Sequence, residues 1–162
     1  MIIHVKNKNT LKIDDFNLKC CIGKNGLNYN KKEGDYSTPK GVFNLKKLYF
    51  RKDRVGSPKC KLDKKAIKQN MAWCDDPNHT KYNEEIKTSN KKLKEKLYRK
   101  DHKYDYIISI SHNERKISGN GSAVFIHLTD DYKPTAGCVA LKKKDFEILL
   151  KLIDKKTKIK IG

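Results

Sequence analysis

The sequence predicts a mainly β fold, a β-sandwich or barrel-like sheet that carries two peripheral helices. Short apolar runs rich in β-branched residues, bounded by turn-forming residues, recur along the 162-residue chain. Only two segments have apolar residues at helical spacing. No linker and no internal repeat divides the chain, so we expect a single domain over residues 1–162.

The first half of the chain is predicted to form strands separated by a long polar loop. An Asn-Lys-Asn turn joins the first two apolar runs into a hairpin. Residues 23–41 are rich in Gly and Asn and are predicted to form the loop. Residues 51–85 have no clear period and are predicted to be an insertion of structured loops. The four predicted strands are residues 2–5, 11–13, 16–22 and 42–50.

The second half is predicted to contain strands and both helices. Thr88 and Ser89 can cap a helix over residues 91–99. Leu93 and Leu97 lie four positions apart on one face of it. An amphipathic helix is predicted over residues 145–154. The predicted strands here are residues 104–111, 122–128 and 157–161.

The basic composition suggests a nucleic-acid partner, but the type and distribution of the basic residues do not support one. The chain has 38 Lys+Arg and 19 Asp+Glu, a formal net charge of +19. A basic protein gains affinity for phosphates by releasing counterions. Only four of these residues are Arg, and the lysines are spread over the whole length. We therefore predict a solvated basic surface and no nucleic-acid partner, with attraction to anionic cell-wall polymers as an alternative.

The N-terminus and the hydropathy pattern bear on where the protein acts. No run approaches the roughly 18 apolar residues of a membrane span. The first residues lack the apolar stretch and the small-residue cleavage site of a signal peptide. From the sequence we predict a cytoplasmic protein, or one of the periplasm or cell wall if a leader is missing. We expect a monomer.

The five cysteines do not form a recognisable metal or disulfide pattern. They show no Cys-x-x-Cys pair and no spacing typical of zinc ligands. We therefore expect no metal and no cofactor. Most of these cysteines are predicted to be reduced and half-buried, and one is a candidate nucleophile.

Residues 121–141 contain the chemically informative segment. A predicted strand ends at His127, and a loop returns the chain to Thr135, Gly137 and Cys138. Cysteine catalysis needs a thiolate, a base and donors for an oxyanion. Gly137 permits a tight turn, and the N–H groups around it are candidate oxyanion donors. By spacing alone, a structural Cys and a surface His are the alternative.

This segment resembles the active-site motif of the L,D-transpeptidase catalytic domain family (YkuD-like). The shared pattern is a His at the end of a strand, a loop, and the residues TAGCV at positions 135–139. KKEGDYSTPKGVF, residues 31–43, resembles the family's Gly-Asp-x-x-Thr-Pro-x-Gly-x-Phe element. The resemblance spans residues 20–162. Segments similar to small single-domain bacterial members are RKDR (51–54), WCDDP (73–77), YN (82–83) and YRKDHKYD (98–105).

The resemblance implies an enzyme that acts on peptidoglycan stem peptides in cell wall biogenesis and cell shape. Cys138 would be the nucleophile and His127 its base, as a thiolate–imidazolium pair. The thiolate would attack the third residue of a stem tetrapeptide and release the terminal D-Ala. An amine would then resolve the thioester (L,D-transpeptidase), or water would (a cytoplasmic L,D-carboxypeptidase of peptidoglycan recycling). Carbapenem-type β-lactams would acylate Cys138. A catalytically silent binding module is the alternative from another class.

The sequence departs from the family pattern around the nucleophile. Ala136 replaces a common His, and Ala140 and Leu141 replace polar residues after the Cys. The loop before Cys138 is short. These departures keep the nucleophile and the base but leave the acyl acceptor open.

The few arginines are candidate substrate ligands. A chain that uses Lys almost everywhere should keep Arg mainly where a planar, bidentate donor is needed. Arg51, Arg54 and Arg99 fall within the resembling segments and are candidates for holding a substrate carboxylate. The alternative for each is a structural pair with an acid of this chain. Thr135 can bind the substrate or a neighbouring backbone group.

Overall fold

The computed structural model describes residues 1–89 and 95–162 and confirms a mainly β fold. The strands of the first half are β1 (Ile2–Val5), β2 (Thr10–Ile13), β3 (Phe16–Cys21), β4 (Leu27–Asn28), β5 (Thr38–Pro39) and β6 (Gly41–Phe50). Those of the middle are β7 (Asp63–Ala66), β8 (Met71–Trp73), β9 (Glu85–Lys87) and β10 (Glu95–Lys96). The last strands are β11 (Tyr106–Ile110), β12 (Phe125–Leu128), β13 (Val139–Leu141) and β14 (Lys158–Ile161). The two helices are α1 (Lys52–Val55) and α2 (Lys143–Leu152).

Eight strands close into a barrel-like sheet. Their order is β6, β11, β12, β13, β3, β2, β1 and β14, and β14 pairs back onto β6. The long strand β6 makes the closure possible, because its first half pairs with β14 and its second half with β11. Strand β7 is added to β6 outside this ring. Closure removes the exposed edges that an open sheet would leave.

Residues that point inward from the strands form the main hydrophobic core. Alternate positions of β11 and β12 contribute to it, such as Ile108 and Ile126, neither of which is exposed. Helix α2 packs Phe146, Leu149 and Leu150 into the same cluster. The ring of Phe146 stacks on Tyr106 of β11 at a centroid distance of 5.4 Å. The core therefore unites the barrel interior with the apolar face of α2.

The described residues of 51–89 and 95–104, called the insertion below, lie mostly outside the barrel and cover part of its outer face. Strands β10, β8 and β9 form a separate three-stranded sheet there. A second hydrophobic cluster joins this insertion to outward-facing residues of β6, β11 and β12. Its members include Tyr49, Ile107 and Phe125 from the barrel, and Met71 and Trp73 from the insertion. The insertion therefore packs against the outer face of the barrel.

The structure corrects the predicted helix over residues 91–99. Residues 91–94 of that prediction lie outside the described residues. Glu95–Lys96 forms strand β10, which pairs with β8, so the helix prediction is wrong there. Leu97 does bury its side chain, but in the second cluster and not on a helix face. Pairing with the insertion sheet outweighed the four-residue spacing of the leucines.

The predicted loops of residues 51–85 also contain regular structure. Helix α1 and strands β7, β8 and β9 lie within or at the end of this segment. Within the described part of the chain, no helix is long and apolar enough to cross a membrane.

Candidate active site

The second cluster borders a cavity of about 1040 Å³ between the barrel and the insertion. The predicted residues His127, Thr135, Gly137 and Cys138 all line it. The opposite wall comes from the insertion and includes Asp75, Pro77, Ile86 and Glu95. Among the described residues, no three His, Cys, Asp or Glu side chains are grouped so that they could hold a metal ion.

Cys138 lies directly before β13, next to the start of β12. Its Sγ accepts a hydrogen bond from the Phe125 N–H at 3.3 Å and donates one to the Ala123 carbonyl at 3.2 Å. Burial raises the pKa of the Cys138 thiol to about 12, and the negative charge of Glu95 adds to this. The thiol is therefore protonated at neutral pH in the free protein.

His127 lies on β12, the strand parallel to β13. Its side chain is buried, and Nδ1 lies 2.8 Å from the Leu128 carbonyl oxygen. A carbonyl can only accept, so Nδ1 carries the proton and Nε2 is left as an acceptor. Burial lowers the pKa of His127 to about 4, against the effect of the Leu128 hydrogen bond. The imidazole is therefore neutral at neutral pH.

These two pKa shifts differ from the thiolate–imidazolium pair that the resemblance implied. Burial disfavours the charged form of both Cys138 and His127, so the free protein holds a neutral thiol and a neutral imidazole. A neutral imidazole is the form that can accept a proton. Burial therefore favours the neutral form of both side chains in the free protein.

Thr135 stabilises the turn before Cys138 with two hydrogen bonds. The Thr135 hydroxyl donates to the Cys138 carbonyl at 2.6 Å and accepts the Gly137 N–H at 3.1 Å. The Gly137 N–H is thus occupied, which removes it as an oxyanion donor in this conformation. Gly137 has a φ of 145°, and a Cβ there would lie 2.8 Å from the Ser37 carbonyl oxygen. Only glycine fits at this position.

Thr38 ties residues 31–43 to the turn that carries the nucleophile. It is completely buried, and its hydroxyl donates to the Gly137 carbonyl at 2.8 Å and accepts the Gly23 N–H at 2.8 Å. The sequence did not identify this contact, although the Thr-Pro of the resembling segment marks the place. Thr38 therefore positions Cys138 without lying in the cavity.

Thr38→Val should weaken both the fold and the active site, because it leaves the Gly137 carbonyl and the Gly23 N–H unpaired and buried. We expect a loss of about 2 to 4 kcal/mol in the free energy of unfolding. Displacement of the turn should lower kcat/KM on the order of 10- to 100-fold. Denaturant unfolding and steady-state kinetics measure the two effects.

Thr157→Val is the matched control for this substitution. Thr157 is equally buried, and its hydroxyl also makes two hydrogen bonds, both with Asp154, away from the residues that line the cavity. It should lose stability and keep its kcat/KM. Equal kinetic losses in the two variants would contradict the positioning role of Thr38.

The insertion supports the site from the other side by holding the backbone of Ala123. This residue has a φ of 51°, and its carbonyl accepts the Cys138 thiol. The Asn83 side-chain oxygen accepts both the Ala123 N–H at 3.1 Å and the Trp73 indole N–H at 2.9 Å. The WCDDP and YN segments thus hold the backbone against which the thiol rests.

Tyr104 and Glu95 form a pair beside the imidazole. The Tyr104 hydroxyl donates to the Glu95 carboxylate, and the Tyr104 ring meets the His127 ring edge-on at 5.3 Å between centroids. Burial raises the pKa of Glu95, against the effect of this hydrogen bond. No pattern in the sequence distinguished Glu95 from the other acids of the chain. The pair helps to shield His127 from water.

The three candidate arginines lie outside the cavity lining. Each guanidinium pairs with a carboxylate of this chain, as the structural alternative expected. Arg51 is buried and also lies over the Tyr98 ring at 3.6 Å. None of the three is among the described residues that line the cavity. The ion pairs are Arg51–Asp53, Arg54–Asp105 and Arg99–Asp101.

Comparison with known proteins gives one family and one related structure. The model of the family described as "L,D-transpeptidase catalytic domain" (YkuD) matches residues 2–161. The fold is similar to the structure of Bd1075 from Bdellovibrio bacteriovorus, at 14% identity and a TM-score of 0.49. That similarity covers 99% of this chain and 47% of the other, so this chain spans about half its length. No curated protein matches significantly. The family match covers nearly the whole chain, so the protein belongs to the L,D-transpeptidase catalytic domain family.

Proposed function

We propose that this protein is a peptidoglycan L,D-transpeptidase that uses Cys138 as nucleophile and His127 as base. Family membership supports L,D-transpeptidase-type catalysis on peptidoglycan. The observation that carries the finer proposal is that His127 on β12 and Cys138, directly before the parallel strand β13, line one cavity. The substrate is a stem tetrapeptide, and the bond cleaved is the L,D bond before its terminal D-Ala.

Acylation begins with proton transfer from the Cys138 thiol. The unprotonated Nε2 of His127 takes the proton as the sulfur attacks the carbonyl carbon of the third stem residue. The tetrahedral intermediate collapses when the imidazolium gives that proton to the D-Ala nitrogen. D-Ala leaves with a neutral amino group, and the third residue remains as a thioester on Cys138.

Deacylation repeats the same steps with a new nucleophile. An amine of a second stem attacks the thioester carbonyl and gives a proton to Nε2. The new amide forms as the sulfur leaves, and the imidazolium returns the proton to the Cys138 sulfur. The Nδ1 hydrogen bond to the Leu128 carbonyl keeps the tautomer constant through both halves.

The charge on the substrate oxygen needs a donor in the nucleophile turn. The Gly137 N–H already donates to the Thr135 hydroxyl, so we assign the role of oxyanion donor to the Cys138 N–H. The Thr135 hydroxyl, held by the Cys138 carbonyl, keeps the turn in place. Thr135 is thus a positioning residue, and Gly137 allows the turn to approach Ser37.

A defined tetrapeptide assay with mass-spectrometric detection tests the proposal. The protein is incubated with a stem tetrapeptide, with and without a second stem that offers a free amine. We expect D-Ala release together with a cross-linked product. Release of D-Ala without cross-linking would replace the transpeptidase by the L,D-carboxypeptidase alternative, in which water is the acceptor. Absence of D-Ala release under both conditions would contradict both.

A further inference from the structure

We propose that Lys31 forms the subsite for the terminal carboxylate of the substrate, the carboxylate of the D-Ala that leaves. The inference rests on the proposed function, because it assigns the part of the cavity that reads the end of the stem. It also replaces the arginines as the candidate cation, since their guanidinium groups pair with acids outside the cavity lining.

The position of Lys31 is the first argument. Its side chain lines the cavity, although the residue is only 8% exposed. Its Nζ lies 3.6 Å from where a Cβ on Gly137 would be, so it flanks the turn directly before Cys138. The other lysines among the described lining residues, Lys81 and Lys87, are exposed to solvent. Lys31 is thus the buried cation of the described cavity wall.

The hydrogen bonds of Lys31 hold its ammonium group in place without using all of it. Nζ donates to the Asp35 carboxylate and to the Lys32 carbonyl, the latter at 2.8 Å. An ammonium group has three N–H donors, so one remains within the described part of the chain. Asp35 also accepts the Lys32 N–H, the Ser37 N–H and the Ser37 hydroxyl. These contacts satisfy the carboxylate, so the third N–H of Lys31 can serve a ligand.

The pKa of Asp35 agrees with this arrangement. Burial alone would raise it, but the hydrogen bonds from Lys31, Lys32 and Ser37 hold it well below its usual range. Asp35 is therefore a permanent anion that anchors the Lys31 side chain.

The covalent geometry of the substrate sets where such a cation must be. The D-Ala carboxylate carbon lies about 3 to 4 Å from the scissile carbonyl carbon, across the nitrogen and Cα. Attack by Cys138 brings that carbonyl carbon to the sulfur, so the carboxylate must lie close to the nucleophile turn. Lys31 beside Gly137 meets this requirement. A buried ammonium would then distinguish a free terminal carboxylate from an amide at the same position.

Binding measured on the Cys138→Ala background tests the inference without requiring turnover. Two peptides are compared by calorimetry, a stem tetrapeptide that ends in free D-Ala and the same peptide with a C-terminal amide. We expect the free acid to bind 10- to 100-fold more tightly, about the range of a charge-assisted hydrogen bond. Lys31→Met should remove most of this preference, and Lys31→Arg, which keeps the charge, should retain part of it.

Lys32→Met is the matched control. It removes the same charge from the next residue, whose side chain is exposed and whose contacts here are made by its backbone. It should keep the preference for the acid. The inference would be overturned if the acid and the amide bound the Cys138→Ala protein equally tightly. It would also be overturned if a folded Lys31→Met variant of that protein kept the full preference for the acid.

The D-Ala release assay, carried out on the protein with Cys138 intact, tests the proposed reaction independently of the subsite. If the acid preference depends on Lys31 but D-Ala is never released, the proposed reaction fails and the carboxylate subsite stands. If D-Ala is released but the preference does not depend on Lys31, only the subsite fails.

Discussion

Cys138→Ala should lower the rate of D-Ala release from a stem tetrapeptide by a factor on the order of 10⁴ or more, with the fold intact. The reason is that the thioester cannot form without the sulfur, and the remaining groups of the cavity only bind the peptide. The two hydrogen bonds of the Cys138 side chain involve sulfur, a weak donor and acceptor, beside a cavity that water can enter, so their removal should cost little stability. D-Ala release by mass spectrometry and thermal unfolding measure both effects.

Cys60→Ala is the control for this substitution, because Cys60 is also partly exposed but does not line the cavity. It should keep full activity. A carbapenem should add its mass to the protein and to Cys60→Ala, but not to Cys138→Ala. Persistent turnover in Cys138→Ala would refute the assignment of Cys138 as nucleophile, even though the chain belongs to this family.

His127→Gln should lower kcat for D-Ala release by about 10²- to 10⁴-fold, the usual contribution of a general base. Glutamine keeps a polar side chain at this position but cannot take the thiol proton. His79→Gln is the control, because His79 lines the same cavity but is exposed on the insertion side. It should leave kcat unchanged. Equal losses of kcat in the two variants would contradict the assignment of His127 as the base.

The pH profile of the unsubstituted protein gives a second measure of the same residue. The pKa of His127 is lowered to about 4, so Nε2 is unprotonated above that pH and protonated below it. We expect kcat/KM to fall as the pH drops through about 4, and not near 6.5 where an exposed histidine titrates. This acidic limb should be missing from the residual activity of His127→Gln. A limb near 6.5 would show that His127 is more exposed in the working enzyme.

Much of the barrel could be predicted because its strands are short apolar runs bounded by turn-forming residues. Strands β1, β2, β6 and β11, and helix α2, have apolar residues at the expected spacing and lie close to the predicted ranges. The insertion could not be predicted in the same way. Its strands are two to four residues long, and segments such as Asp63–Ala66 and Glu95–Lys96 are polar and lack a period. They become strands by pairing with neighbours that are distant in the sequence.

The candidate active site, like the fold, could be predicted from the sequence only in part. His127 and Cys138 stood out because they combine the chemistry with a resembling segment, and the structure brings both to one cavity. The positions of Lys31 and Glu95 depend on how the loop and the insertion fold over the barrel, which no local pattern records. The scarcity of arginine drew attention to Arg51, whose carboxylate partner is Asp53, two residues away. Composition does not tell an internal partner from a substrate.

The alternation along β12 makes the strand register a condition of the catalysis that we propose. Ile126 and Leu128 point into the barrel core, whereas His127, between them, lines the cavity. Pairing on both sides sets this register, with Ile108 of β11 on one side and Val139 of β13 on the other. A slip of one residue would turn the imidazole into the apolar interior and present two aliphatic side chains to the substrate. The apolar packing that stabilises the barrel is therefore also what selects which side chain of β12 faces the cavity.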